Sequence, residues 1–591
     1  VENFHKGKLA EVAACLYESV DSPYSREKHE ALIKGDWSKI ARSKIVPAEY
    51  DNATLFAYDY ACHYFLKKLS FSGEVNRLHK EAIQQFRAVE ARIHSVNGNL
   101  RYRPCQNGVE GILSYARRKI SDILGPLSTG EFAEHCDWGP GATSSLKGRR
   151  STVDQKILEP RLSVTRRALP YAQAYLENSL LWARARLRLD VDGPCSLLPG
   201  EFAIVEDGRF ATVPKDAYRR RSIDIQPTLN LFLQKGVGKM IRRRLKRQGI
   251  DLDDQTKNQK LAQQAYDLSY ATIDLEAASD SVSYELVQLL LPSDWFELMD
   301  RLRTHSINID GESHRLAKFS AMGNGFTFEL ESLLFYALSW AVVRAEADDY
   351  ASPIAVYGDD IIVASTHAKR LITVLSEVGF LVNNDKSFIE GPFYESCGKH
   401  FFKGRDVTPP IQKEEIDSAV SAVRCANRLW RWAYRLGTKY YLDDVARRAY
   451  SVAARHAETL HRSVPVIRQR RKVRPPLPTQ PWWLEGDGGL IVNAPFHFDR
   501  NGIAQLSLYK ARIASKDAYH GAIYGETLRK RNKPFVNGVE HKTATQLSNE
   551  LDIQFDGIAT YGKVSPRGEV VWKIDKQRVY CLSHEVPEWL D

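Results

Sequence analysis

Ile354-Ala355-Val356-Tyr357-Gly358-Asp359-Asp360-Ile361-Ile362-Val363 places two adjacent aspartates at an acidic tip between apolar β-formers. Val356 and Tyr357 on one side and Ile361 to Val363 on the other have the composition of buried strands, and Gly358-Asp359 can make the tight turn of a hairpin. The turn then carries the carboxylates. Two carboxylates side by side against apolar strands resist joint ionisation unless a cation neutralises them. Mg²⁺ or Mn²⁺ suits such a site, because these ions bind through one or two carboxylates and complete their shell with water and substrate phosphates. The competing reading of this stretch alone is a solvated acidic turn.

The chain around it has 591 residues, enough for about three to five domain-sized units. Its balance of 43% hydrophobic and 26% charged residues is that of a soluble globular protein, and no uninterrupted apolar run is long enough to span a bilayer. Eight cysteines are scattered without a Cys-x-x-Cys pair, which argues against a zinc ribbon or a disulfide framework and for a reducing compartment. The first residues show no charged segment followed by an apolar one, so cytoplasmic residence is the expectation. A net charge of +10 favours a polyanionic partner such as nucleic acid.

Residues 1–105 read as mostly helical, with aromatics and aliphatics at helical spacing in Leu55 to Leu66. Gly139 to Ser145, leading into Lys147-Gly148-Arg149-Arg150, could hold phosphates on amides and cations, or could be a solvated loop. Lys235 to Arg247 contains seven basic residues and no acidic one, with Ile241 and Leu245 four apart. A helix could dock along that apolar line with its cations outward, which makes Lys239, Arg242, Arg243, Arg244, Lys246 and Arg247 candidates for RNA contact. A second basic run, Arg468 to Arg474, leads into Pro475-Pro476-Leu477-Pro478 and reads as an exposed connection.

About 80 residues before the hairpin, Tyr270-Ala271-Thr272-Ile273-Asp274-Leu275 alternates like a strand and ends near an aspartate. A third carboxylate from a second strand is what a two-metal phosphoryl-transfer site needs beside the hairpin. Asp280 follows, as a contact for a sugar hydroxyl or as the N-cap of the helix expected from Tyr284. Between the acidic elements, Met322-Gly323-Asn324-Gly325 feeds a long apolar helix, and paired glycines let a backbone approach a ligand closely. Upstream, Lys215 and Arg219-Arg220-Arg221 surround a short loop suited to a triphosphate. Downstream, Lys386 ends a helix and strand near the acidic chemistry.

The order of these motifs resembles that of palm-domain RNA-dependent RNA polymerases. More narrowly, the chain resembles the replicase catalytic subunit of positive-strand RNA bacteriophages, through Thr212-Val213-Pro214-Lys215, Gly249 to Gln255, Thr272-Ile273-Asp274-Leu275 with Ala278-Ser279-Asp280-Ser281, Met322 to Ser332, Tyr357 to Ile362 and Glu395-Ser396-Cys397-Gly398-Lys399-His400. The likeness is dense over residues 207–410. It implies an α+β right-hand fold with an antiparallel palm sheet backed by helices: a helical region at 1–105, fingers at 106–266, palm at 267–410, thumb and C-terminal region at 411–591. It implies Asp274, Asp359 and Asp360 as catalytic metal ligands for two Mg²⁺ ions, with Mn²⁺ a substitute, and Lys386 as the proton donor to departing pyrophosphate. Lys215, Arg220 and Arg221 are implied phosphate-gripping residues, with three consecutive arginines leaving open which one grips. Asp280 is the implied ribose 2′-hydroxyl reader, with Gly323, Asn324 and Thr327 nearby. Two departures from the family pattern stand out: the three consecutive arginines 219 to 221, and Glu329 and Glu331 in the helix where many other polymerases use an asparagine.

The expected activity is template-directed ribonucleotide transfer with RNA template, RNA product and nucleoside triphosphates, in the cytoplasm of an infected bacterium. The resemblance also implies host elongation factors Tu and Ts and a small-subunit ribosomal protein as partners, and no membrane. Reverse transcription is the competing enzymatic reading, disfavoured by a polar Asp280 where deoxynucleotide enzymes tend to place a bulky side chain. A non-catalytic RNA-binding protein would leave three separately positioned aspartates unexplained.

Overall fold

A computed structural model describes residues 7–69, 75–103, 105–106, 108–139, 141–147, 151, 156–157, 159–179, 199–216, 218–346, 352–437, 442–464, 476–484, 486–492, 499, 503–513 and 570–580. The basic run Arg468 to Arg474 and the Gly148 to Arg150 end of the glycine-rich loop lie outside these residues.

The helices α1 (Lys8–Val20), α2 (Pro23–Lys34) and α3 (Ala53–Tyr64) open the chain, followed by the 28-residue α4 (Val75–Tyr102) and by α5 (Val109–Leu124). The expected helical N-terminal stretch is therefore present, but two cores divide it. α1 to α3 bury Leu16, Phe56, Tyr60 and Phe65 in one core with Phe393, Phe402, Trp432 and Ala453 from far along the chain, on strands and helices defined below. α5 instead joins a second core, centred on residues 109–380.

Strands β1 (Asp207–Pro214) and β2 (Arg220–Ile225) form a hairpin, after which come the helices α6 (Thr228–Arg247) and α7 (Thr256–Leu268). β3 (Tyr270–Ile273) precedes α8 (Tyr284–Leu290) and the strands β4 (Ser306–Ile309) and β5 (Glu312–Arg315). β4 runs parallel to β1 and antiparallel to β5, giving a four-stranded sheet in the order β2-β1-β4-β5. α9 (Thr327–Glu346) is apolar nearly all round and is buried nearly all round, as that pattern demands.

β6 (Ala355–Tyr357) and β7 (Asp360–Ala364) form the acidic hairpin, and β7 also pairs antiparallel with β3, so the sheet order is β3-β7-β6. Apolar residues facing both ways along β7, Ile361 to Val363, let this sheet be covered on both faces. α10 (Ser365–Glu377) follows, then the hairpin of β8 (Phe393–Ser396) and β9 (Lys399–Phe402). α11 (Ala419–Leu436) and α12 (Asp444–His461) pack on each other and receive α1. A ribbon of β10 (Ile503–Ile513) and β11 (Val570–Tyr580) adds Tyr509 and Ile574 to the core of α1 to α3. Among the described residues no helix is long and apolar enough to cross a membrane.

Candidate active site

The hairpin forms as the sequence requires. Tyr357 pairs with Asp360, leaving Gly358-Asp359 as a two-residue turn, and Gly358 takes a positive φ of 62° that the first position of such a turn needs. A Cβ at Gly358 would lie 2.6 Å from Phe328 Cε2, so the ring of α9 closes against the turn. Ser332 Oγ, also on α9, accepts the Gly358 N–H at 3.0 Å.

Ile361 lies opposite Ile273 across the β7–β3 ladder, so one further step of the same register sets Asp274 level with Asp360. Asp274 is held from both sides: Asn383 Nδ2 donates to its Oδ2 at 2.7 Å, and Ser387 Oγ accepts its backbone N–H at 3.0 Å. Burial raises the proton affinity of its carboxyl; Lys386 pulls it down and Asp359 pushes it up. Burial first, and Asp359 second, push Asp360 up to about 7. Asp360 Oδ1 accepts from Cys397 N–H at 3.2 Å and from Ser396 Oγ at 3.3 Å, so the β8–β9 turn holds it. Among the described residues nothing hydrogen-bonds the Asp359 carboxylate, which leaves it the freer side chain of the pair.

Among the described residues no three His, Cys, Asp or Glu side chains are already clustered at metal-binding distances. The residues nonetheless fit a hard divalent cation. Asp274 and Asp360 converge from two strands beside Asp359, whose charge raises the proton affinity of both. That repulsion is what a Mg²⁺ bound through one or two carboxylates would relieve.

Cations gather within electrostatic reach of Asp274. Burial lowers the proton affinity of Lys215, and Arg221, Arg219 and Lys386 add to this, while Asp274 opposes it. Arg219 and Arg221 thus share one neighbourhood with Lys215. Arg220 does not belong to it, because its Nε and Nη2 turn back onto Thr212 Oγ1 and the Thr212 carbonyl at 2.8 and 2.7 Å. Strand alternation separates Arg220 from Arg221, the first two residues of β2, while Arg219 precedes the strand and pairs with Asp216. Lys386 Nζ lies 3.5 Å from Glu395 Oε1. Its crowded position opposes its charge, but Glu395 and Asp274 outweigh that and raise its proton affinity.

The glycine-rich turn is close-packed, though against the protein itself rather than open to a ligand. Gly323 has a φ of 121°, and a Cβ there would fall within the Asp224 carbonyl of β2. Asn324 Oδ1 accepts the Ala321 N–H at 2.9 Å, and Thr327 Oγ1 donates to the Ala321 carbonyl at 2.8 Å, so both side chains serve to fold the turn. Asp280 is not a helix cap: Ser283 caps α8, accepting from Leu286 N–H. Asp280 lies instead in the single helical turn Ala278–Ser281, with both carboxylate oxygens bonded, to Lys318 and Ser222.

The basic helix α6 turns Arg243, Lys246 and Arg247 outward as expected, and departs from that expectation where its cations are tied into the fold. Arg244 is 9% exposed and makes a fork of bonds at 2.9 and 2.8 Å to Glu131, and Arg242 pairs with Glu329 at 2.7 Å and Asp253 at 2.5 Å. Lys239 pairs with Asp137, Lys246 with Asp251, and Arg243 with His135 and Glu131. Arg247 is exposed. In the loop Thr143 to Ser145, Thr143 is buried and, like Ser145, bonds Thr228 at the start of α6, while Gly141, Ser145 and Lys147 are exposed.

Several residues of the site carried no signal in the sequence. Lys67 and Lys68 follow α3 and lie within electrostatic reach of Lys386; burial, then Arg219 and Lys386, bring Lys67 down to about 8. Behind Lys386, Glu395 faces His400 at 3.7 Å, and Tyr60 of α3 bonds His400 Nδ1 at 2.6 Å. Glu331 of α9 is 6% exposed with Oε1 unpartnered, and burial, then Asp359 and Asp280, raise its proton affinity. The departure from asparagine in that helix was the one available hint.

An acidic hairpin paired to a strand aspartate, with lysines and arginines within electrostatic reach, has the charge pattern suited to a metal and a phosphate, and comparison with known proteins gives the family. The profile of the family described as RNA replicase, beta-chain, matches residues 29–464. The chain belongs to this family. It is 41% identical over 319 residues to the RNA-directed RNA polymerase beta chain of Escherichia phage MS2, covering 54% of this chain and 56% of that one. It is 39% identical over 361 residues to the RNA-directed RNA polymerase subunit beta of Escherichia virus Qbeta, covering 60% and 58%. The chain thus spans little more than half the length of these relatives. Among solved structures, the RNA-dependent RNA polymerase of a human picobirnavirus, in an insertion-loop deletion mutant, aligns at 12% identity with a TM-score of 0.32, covering 61% of this chain and 87% of that one.

Proposed function

We propose that this chain is an RNA-directed RNA polymerase that copies a positive-strand RNA phage genome. The observation that carries the reading is the convergence of Asp274 with Asp359 and Asp360 at the β3–β7–β6 sheet, faced by Lys215, Arg219, Arg221 and Lys386. In the reaction a 3′-hydroxyl oxygen bonds to the α-phosphorus of a ribonucleoside triphosphate, the bond from α-phosphorus to the bridging oxygen breaks, and pyrophosphate leaves. Asp274 and Asp359, with Asp360 beside them, would hold two Mg²⁺ ions, or Mn²⁺ in their place, which supply Lewis-acid activation of the nucleophile and charge neutralisation on the phosphate.

The protein's own residues supply the rest. Lys215 and Arg221 orient the triphosphate, with Arg219 alongside; Arg220, bonded to Thr212, is left out of that grip. Lys386, kept protonated by Glu395 and Asp274, passes a proton to the departing pyrophosphate. Asp280 accepts the ribose 2′-hydroxyl, which favours ribonucleotides over the deoxynucleotides of a reverse transcriptase. The architecture is read as a right hand, with fingers over 106–266, palm over 267–410 and thumb from 411. Host factors Tu and Ts, a small-subunit ribosomal protein and residence in the bacterial cytoplasm follow from the family and belong to the same proposal. Purified Asp359→Asn protein should keep its fold by circular dichroism and lose nucleotide incorporation by about a thousandfold or more. Incorporation at the wild-type rate would overturn the proposal.

A further inference from the structure

Asp280 is fixed by two groups from separate segments, one of which is itself held by α4. Its Oδ1 accepts from Lys318 Nζ at 2.8 Å and its Oδ2 from Ser222 Oγ of β2 at 3.0 Å. Lys318 is 1% exposed, lies 3.9 Å above the Phe86 ring and 3.4 Å from Glu90 Oε1, both on α4. An ammonium that deeply buried is stable only while paired, so Lys318 is committed to this position. The backbone enforces the same geometry. Phe319 N–H donates to the Val282 carbonyl at 2.7 Å, and Lys318 forms an isolated β-bridge with Ser283, which staples the Lys318 segment to the residues just beyond Asp280.

We infer that Lys318 is a specificity-determining positioning residue that, with Ser222, locks the Asp280 carboxylate in the one orientation able to read a ribose hydroxyl. The inference rests on the reading of Asp280 as the ribose-facing residue. An ionised carboxylate has about four lone-pair sites. Lys318 and Ser222 occupy one on each oxygen and prevent the group from rotating. A mobile carboxylate could turn toward water when a sugar lacks its 2′-hydroxyl, and would discriminate little. A pinned carboxylate is left with an unmet acceptor by a deoxynucleotide, and an unmet polar group in a closed site is what gives an enzyme selectivity for a hydroxyl. Phe86 and Glu90 extend this control to α4, a helix that the motif order leaves without a role.

The test compares kcat/KM for a ribonucleoside triphosphate and its 2′-deoxy analogue on one template, using the full chain assembled as the active enzyme. Asp280→Asn sets the reference by abolishing the selectivity. Lys318→Met should lower the ribo-to-deoxy ratio about tenfold, and Ser222→Ala about threefold, chiefly through a higher KM for the ribonucleotide. Lys318→Arg, which keeps a cation, should recover most of the ratio. Should Lys318→Met fail to fold, Ser222→Ala and Phe86→Leu carry the comparison. A reduced ratio in Asp280→Asn with an unchanged ratio in Lys318→Met, or, where that variant does not fold, in Ser222→Ala and Phe86→Leu, would overturn the role of Lys318 while leaving that of Asp280 standing. An unchanged ratio in Asp280→Asn itself would overturn the reading on which the inference rests.

Discussion

Asp224 is buried on β2; Thr304 Oγ1 donates to Oδ2 at 3.2 Å and Oδ1 is unpartnered. Burial pushes its carboxyl from the ordinary 3.8 up to about 7, against the pull of Lys318. Between those two values the folded state binds more protons at this position than the unfolded chain. Its contribution to stability is therefore greatest at low pH, falls as pH rises from about 4, and reaches its minimum above about 7. Asp224→Asn should raise Tm by about 2 °C or more at pH 8, leave it nearly unchanged at pH 4, and so flatten the pH dependence seen by calorimetry. Single residues also show where reading the chain succeeds. Asp359 was legible because a turn dipeptide between apolar strands has few other uses. Choosing among Arg219, Arg220 and Arg221 was not, because the face that each presents depends on the register of β2 against β1. Lys318, a lone lysine between Ala317 and Phe319, gave no local sign that it would be buried against Phe86.

Turns and helices divide in the same way. The hairpin and the glycine-rich turn were both foreseen, yet their glycines answer to different neighbours. At Gly358 an added Cβ meets the edge of the Phe328 ring, which can shift; at Gly323 it meets the backbone of β2, which cannot. Gly323→Ala should therefore cost more stability than Gly358→Ala, which by its positive φ and ring contact should cost about 1–3 kcal/mol; chemical denaturation of the two variants ranks them. Helix α6 was read from its own charges alone, and a count within one helix cannot see Glu131, Asp137, Asp251, Asp253 or Glu329 arriving from elsewhere. Arg244→Ala removes the forked partner of Glu131, leaving it Arg243, and should destabilise the fold by roughly 1–3 kcal/mol, whereas the exposed Arg247→Ala should stay within about 0.5 kcal/mol. RNA retention measured across a salt series should respond to Arg247→Ala if that residue touches phosphate, and the slope against log salt should then fall by about one.

Across the whole molecule, chain order and spatial order part company. Phe56 of α3 is fully buried among Tyr60, Phe393 and Phe402, stacked on Phe402 at 4.6 Å between centroids. Phe56→Ala should cost about 3–5 kcal/mol, and it should also reduce nucleotide incorporation, because β8 and β9 carry Glu395 beside Lys386 and the turn that holds Asp360. Wild-type incorporation by a measurably destabilised variant would show that this core is mechanically separate from the site. The sharing of a core by α1 to α3 and α11 to α12 was not legible, because amphipathic helices advertise that they have an apolar face without naming what covers it. That arrangement also bears on synthesis. A ribosome adding about 5–20 residues per second needs some 20 to 80 s to travel from the end of α3 to the end of α12. For all that time the nascent chain displays the uncovered faces of α1 to α3. The acidic hairpin and its strand partner leave the ribosome well before those helices find their cover, so translation itself imposes a delay between making the aspartates and completing the body that supports them.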